Sequence, residues 1–276
     1  MITVAAVLWS TAGLFVRALD LDVWTMLGWR SVFAAISLGA IVVYQNRGGT
    51  LAAVRGLGWP GVAAVPIGVI SMTGYVASLK LTTVANVMVV YATVPFVAAG
   101  VAFLWIGERA ARRVLVASGI ALLGIMVMAG SATRMQDIAG NACAFVMTAS
   151  FAVQLVMARR YPALQMAAVN AIAASLCALV CWPMMAATMP SPLQFLLLAG
   201  FGVTTTALAY LLVLTGARHI PSGEAGLVGL LDVVLGPLWV WLAFSEQPGA
   251  VALVGGGLVL AAVLWYLASQ HFARPG

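Results

Sequence analysis

Residues 229–246, GLLDVVLGPLWVWLAFSE, read as a lipid-embedded helix carrying two residues that lipid disfavours. Asp232 stands in its first half, and Pro237 follows five positions later. At a bilayer centre an aspartate costs about 3 kcal/mol on insertion scales, and an interior proline removes a backbone hydrogen bond. Composition decides whether this stretch crosses a membrane. Of 276 residues, 64% are hydrophobic and 7% charged, with a mean hydropathy of +1.10. Soluble domains carry about 25% charged residues, so a soluble fold is excluded. The apolar residues form blocks of about 17–25, the length that crosses a ~30 Å hydrocarbon core. Ten spans are predicted, over 2–18, 22–44, 58–79, 84–106, 113–131, 138–158, 166–188, 192–216, 222–244 and 249–269. The expected fold is an all-α integral membrane protein of ten transmembrane helices, with the opening stretch in span 9. Span 1 lacks a basic leader and a clean cleavage site, so it is expected to be retained. The connections are short and leave no room for a separate soluble domain.

A net charge of +6 and a pI of 9.7 would suit a nucleic-acid binder, but the placement of the charges excludes one. With the N-terminus inside, the cytoplasmic connections and C-terminus hold Arg47, Arg55, Arg109, Arg112, Arg113, Arg159, Arg160, Arg218 and Arg274. The outer connections hold Arg17, Lys80 and Arg134, and Arg30 lies within span 2. That nine-to-three bias is the positive-inside rule and predicts two cytoplasmic termini. Cys143, Cys177 and Cys181 fall inside spans, and His219 and His271 at span edges. No cluster of ligands gathers, so the cysteines are read as packing residues, and no metal or cofactor is expected.

Shifting the chain by 138 residues, half its length, brings Glu108 onto Glu246, Gly119 onto Gly257 and Lys80 onto Arg218. Val90, Leu104, Leu115, Val116 and Leu122 also meet identical residues. Each half then holds five spans, an odd number, so the second half must be inverted. Inverted repeats characterise secondary transporters, whose substrate sites lie near the midplane between the halves.

The chain resembles the EamA-type exporters of the drug/metabolite transporter superfamily over its whole length. The resemblance rests on VLWSTAGLFVRAL (7–19), WRSVFAAISLGA (29–40) and TVPFVAAGVAFLWIGERAARRVLVASGIALLGIMV (93–127), and on LDVVLGPLWVWLAFSEQPGAVALVGGGLVL (231–260) in the second half. It implies two five-helix repeats, 1–131 and 137–276, in a bacterial inner membrane. The family typically carries an acid followed directly by proline in span 9. Here Val233 follows Asp232, and the proline comes at 237.

Under the shift Val94 meets Asp232 and Pro95 meets Val233, so spans 4 and 9 carry prolines in nearly corresponding places. Pro95 is expected to free the Tyr91 carbonyl and Pro237 that of Val233. Paired helix interruptions are the best sequence pointer to a transport site. Ala225, Gly229, Asp232, Gly236 and Trp239 share one face of span 9. Two readings of Asp232 compete. It is a buried tether to a neighbouring helix, or it binds a substrate ammonium or carries a coupling proton.

Further polar stripes occur in five spans. Span 1 shows Thr3, Ser10 and Arg17 (with Trp9 beside them), and span 3 shows Gly68, Ser71, Tyr75, Ser78 and Thr82. Span 4 offers Met88, Tyr91 and Pro95, span 6 Met147, Ser150 and Gln154, and span 8 Thr206 and Tyr210. Interhelical hydrogen bonding explains any one of them; together they point to a shared cavity. The family resemblance implies that spans 2, 5, 7 and 10 form an outer scaffold, where Ala35/Gly39, Ala117/Ala121 and Gly257/Ala261 suit close packing. Arg30, about eight residues into span 2, is read as snorkelling to the outer interface rather than as a counter-ion to Asp232. Glu108 and Glu246 end spans 4 and 9 and suit loop anchoring better than gating.

No H-E-x-x-H, G-x-S-x-G, paired aspartates or nucleotide-binding loop is present, so neither an enzyme nor a primary pump is expected. Aromatics, methionines, a few hydroxyls and one acid suit a small zwitterion. Phosphorylated substrates would want an Arg/Lys cluster. Export of amino acids is the first expectation, and export of cationic amphiphilic drugs or other metabolites the alternative. The expected partners are a small-molecule substrate and the lipid bilayer, with a monomer adequate for both.

Overall fold

The computed structural model describes residues 1–47, 49–82, 84–129, 138–245 and 250–271. Arg134, Glu246 and Arg274 lie outside the described residues. All the regular structure among the described residues is helical. In the first half the helices are α1 (Ile2–Ser10), α2 (Ala12–Ala18), α3 (Val23–Asn46), α4 (Thr50–Arg55), α5 (Gly58–Leu81), α6 (Val84–Tyr91), α7 (Val94–Ile106) and α8 (Arg112–Ala129). In the second half they are α9 (Ile138–Arg160), α10 (Met166–Cys181), α11 (Pro192–Phe201), α12 (Ala209–Gly216), α13 (Ser222–Gly229), α14 (Leu231–Phe244) and α15 (Ala250–His271). A π-helical segment, Gly202–Leu208, joins α11 to α12.

Six stretches are long and apolar enough to cross a membrane: Val23–Asn46, Val87–Ile106, Ile138–Arg160, Met166–Met184, Pro192–Gly216 and Ser222–Phe244. Ile2–Ala18 and Leu253–Ser269 are shorter apolar helical stretches. The outward faces are apolar, as lipid requires and water does not allow. Leu104 and Leu242, 138 residues apart, are 84% and 65% exposed. The short helix α4 was not anticipated; six residues between two spans carry too little pattern to reveal it.

Capping residues set several helix starts. The Asp22 carboxylate accepts the N–H groups of Trp24 and Thr25 at 2.9 and 3.0 Å, opening α3. Ser191 and Gln194 form a capping box on α11, with Pro192 in the first turn. Two ends obey the 138-residue repeat. Gly107 closes α7 at φ +69°, and its counterpart Ser245 closes α14 at φ +55°.

Packing obeys the same exchange of halves. The pair α5–α9 answers to α1 with the π segment and α12, α7–α9 answers to α1–α14, and α10–α5 answers to α3 with the π segment. Two pairs map onto themselves: α3–α10 and α8–α15. The close approach of α8 to α15 falls at Gly124, where a Cβ would sit 2.6 Å from the Gly255 carbonyl. Gly39 and Gly257, expected at such contacts, instead face open space, whereas Ala117 and Ala121 are fully buried.

The interruption of span 4 falls just before its proline, as expected, and that of span 9 does not. Span 4 breaks at Ala92–Thr93, between α6 and α7, and Pro95 occupies the first turn of α7, where no N–H is needed. Span 9 breaks at Leu230, between α13 and α14, seven residues before Pro237. Turn bonds of the i→i−3 kind bracket both breaks: Thr93 N–H to Val90 at 3.0 Å, and Leu230 N–H to Leu227 at 3.1 Å. Adding 138 to Ala92 gives Leu230, so the breaks correspond in register although the prolines do not.

Candidate functional site

The break at Leu230 decides the position of Asp232. The residue sits in the first turn of α14, where the positive end of the helix dipole favours a carboxylate. An acid that looked stranded mid-helix is therefore at a helix N-terminus. Its Oδ1 is buried without a hydrogen-bond partner.

Asp232 faces a cavity of about 160 Å³. An engineered cavity of roughly this size elsewhere, ~150 Å³, admits benzene. Span 1 contributes Trp9 and Ala12, and span 3 contributes Ser71, Met72 and Tyr75. From α6 come Val87, Met88 and Tyr91, from α9 Met147 and Phe151, and from span 8 Thr205, Thr206 and Tyr210. An aromatic cluster forms one wall. Trp9 packs edge-on to Phe151 and Tyr210, both at 5.6 Å between centroids, and Tyr91 lies 6.3 Å from Phe151. The Trp9 indole N–H donates to the Thr205 carbonyl at 2.8 Å, inside the π segment.

Trp9, Ser71, Tyr75, Met88, Tyr91, Met147, Thr206, Tyr210 and Asp232, nine of the residues placed on polar faces from sequence, line this cavity. The other residues of those faces lie outside its lining. The Ser10 hydroxyl accepts the Trp239 indole N–H at 2.8 Å, tying α1 to α14. Ser78 is buried and donates to the Tyr75 carbonyl at 2.7 Å. Pro95 packs against α13: a Cβ on Gly226 would sit 3.1 Å from its Cα. Ser150 is half-buried on α9, and Gln154, on the same helix, is fully buried. Gly229 ends α13, where an added Cβ would lie 4.0 Å from the Tyr91 hydroxyl.

Arg30 is the residue that the sequence reading misplaced. It lines the cavity rather than reaching the outer interface, and its guanidinium carbon lies 5.0 Å from the Phe201 ring centroid. Its Nε is buried without a partner. Span 2 therefore contributes to the cavity, while no described residue of spans 5, 7 or 10 does. The missed signal was its position: eight residues into a 24-residue helix is deep for a side chain read as interfacial.

Glu108 anchors, as its place at the end of α7 suggested. One carboxylate oxygen accepts from the Arg159 guanidinium, and the other accepts the Ser222 N–H at 3.0 Å. That joins the ends of α7, α9 and α13. The Arg218 guanidinium donates to the Leu164 carbonyl on the same side. Among the described residues, no group of three or more His, Cys, Asp or Glu could hold a metal.

The cavity is walled by helices from both halves, and sequence comparison gives the class of protein. The profile of the EamA-like transporter family matches residues 1–130 and again 135–268. The chain belongs to the EamA-like transporter family, and is a multi-pass membrane transporter of small molecules. No curated protein matches it significantly. Among solved structures that match is a protein crystal structure that is 20% identical, with a TM-score of 0.82 over 96% of this chain and 95% of that one. At that identity the likeness speaks for the fold alone.

Proposed function

We propose that this chain is a ten-span secondary transporter that exports small metabolites, foremost amino acids with apolar or aromatic side chains. Two inverted five-span halves, 1–131 and 137–276, alternate access to the central cavity, and both termini lie in the cytoplasm of a bacterial inner membrane. One observation carries the reading: the cavity joins an aromatic wall from both halves to a few hydroxyls and isolated charges. Aromatic rings suit an apolar side chain. A phosphorylated ligand would want several basic groups, and the cavity offers one, Arg30. That same cation opposes the rival reading, export of cationic amphiphilic drugs.

A proteoliposome flux screen across amino acids, with and without a pH gradient, tests the substrate. Transport of lipophilic cations alongside complete failure with amino acids would reject it. Cysteine labelling in a background lacking Cys143, Cys177 and Cys181 tests the topology. Ala110 and Ala163 are expected to react from the cytoplasm and Leu21 from outside; Met135, the other outer label, lies outside the described residues. Termini on opposite sides of the membrane would sink the inverted repeat.

A further inference from the structure

Arg30 and Asp232 line the same cavity, each with a buried polar atom that lacks a partner, yet no ion pair joins them. This combination is unusual in a membrane. Each charge costs about 2.5–3.5 kcal/mol at the centre of a spanning helix, and mutual pairing is the ordinary remedy. Here the protein holds them apart. Arg30 is fixed from behind: a Cβ on Gly202 would lie 2.4 Å from its backbone carbonyl, and the Phe201 ring lies against its guanidinium. Asp232 is fixed by the first turn of α14, which begins only because span 9 breaks at Leu230. Tyr75 lines the same cavity as both charges. The cavity therefore carries two opposite, unpaired charges together with phenol and aromatic surface.

We propose that the cavity is a polar-oriented zwitterion site, in which Arg30 receives the substrate's carboxylate and Asp232 its ammonium. This rests on the amino-acid reading and deepens it, since it requires both charges on the substrate and fixes which way round it binds. The guanidinium fork offers a carboxylate two parallel N–H donors, for which a lone ammonium has no use. Asp232 offers an ammonium its acceptor oxygens. A ligand with one charge leaves the opposite group buried and unpaired, which is the costlier arrangement. The side chain of the substrate then falls against Trp9, Phe151 and Tyr210.

Three ligands of one shape provide the test: phenylalanine, phenethylamine, which lacks the carboxylate, and hydrocinnamate, which lacks the ammonium. Inhibition of labelled phenylalanine uptake is measured in proteoliposomes of the full chain. In the parent, both singly charged analogues should inhibit at least about tenfold more weakly than phenylalanine. Arg30→Gln should erase the preference over phenethylamine and keep that over hydrocinnamate, and Asp232→Asn should do the reverse. Arg30→Lys, which keeps the charge without the fork, should preserve the order of the three ligands with weaker binding, and it serves if Arg30→Gln does not fold. Equal inhibition by all three ligands in the parent, or loss of both preferences in either single variant, overturns the charge assignment while amino-acid transport stands. If no amino acid is transported by the parent at all, the functional reading itself falls, and this assignment with it.

Discussion

The Trp9 indole N–H reaches the Thr205 carbonyl at 2.8 Å, across 196 residues of sequence. The acceptor lies in the π-helical segment Gly202–Leu208. Wide helical turns disturb backbone pairing, and at membrane depth every carbonyl needs a donor from the protein or a wet cavity. Trp9 supplies one while its ring forms cavity wall. Trp9→Phe keeps most of the ring and removes the donor. Such bonds in membranes average about 0.6 kcal/mol and reach about 1.7. A small drop in melting temperature is expected, together with clear loss of flux. A variant as stable and as active as the parent would show that this bond is dispensable.

Tyr75 from span 3 and Tyr91 from span 4 both line the cavity and pack against the same buried cluster of Val87, Ala144 and Met147. Tyr75→Ala and Tyr91→Ala should each impair flux while leaving abundance in the membrane near normal, because both rings face the cavity on one side while packing against buried residues on the other. Parental rates for both, with every substrate tried, would remove spans 3 and 4 from the transport path.

Ser245 closes α14 in the left-handed conformation that its repeat partner Gly107 adopts without a Cβ. Left-handed backbone costs a non-glycine residue about 1–2 kcal/mol. Ser245→Gly is therefore expected to raise the melting temperature, and Ser245→Val to lower it, with little change in flux. A destabilised Ser245→Gly would mean that the serine hydroxyl contributes more than the backbone strain removes.

Much of this was readable from hydropathy. Spans 8 and 9, expected over 192–216 and 222–244, begin and end where the helical stretches do, because lipid imposes one length and one polarity on every crossing. The correspondence of halves was legible through Glu108, Gly119 and the 138-residue shift. Helix interiors were less so. Pro237 advertised a break that the chain places at Leu230, since a membrane helix can accommodate a proline and nothing in the sequence of Leu230 marks a turn. Arg30 was misread for a related reason: hydropathy records depth, whereas the direction of a side chain depends on which helix packs behind it. Ser10 and Trp239 shared a face with cavity residues yet satisfy each other, which periodicity cannot distinguish from contact with a ligand.

The two matched breaks also carry information about a shape that the molecule does not display here. All of α13 is buried, with Gly226 pressed against Pro95 of α7, whereas α6 and α14 both contribute residues to the cavity. Exchanging the halves turns the α7–α13 contact into one between α14 and α6: subtracting 138 from 226 gives Met88, and adding it to 95 gives Val233. Cysteines at Met88 and Val233 should therefore cross-link only while substrate is being turned over, and cross-linking should stop transport. Failure to cross-link during active turnover would break the equivalence. Under the proposed alternation of the two halves, each half of the sequence serves as a record of where the other half goes next, and the second conformation is written in the copy of the first.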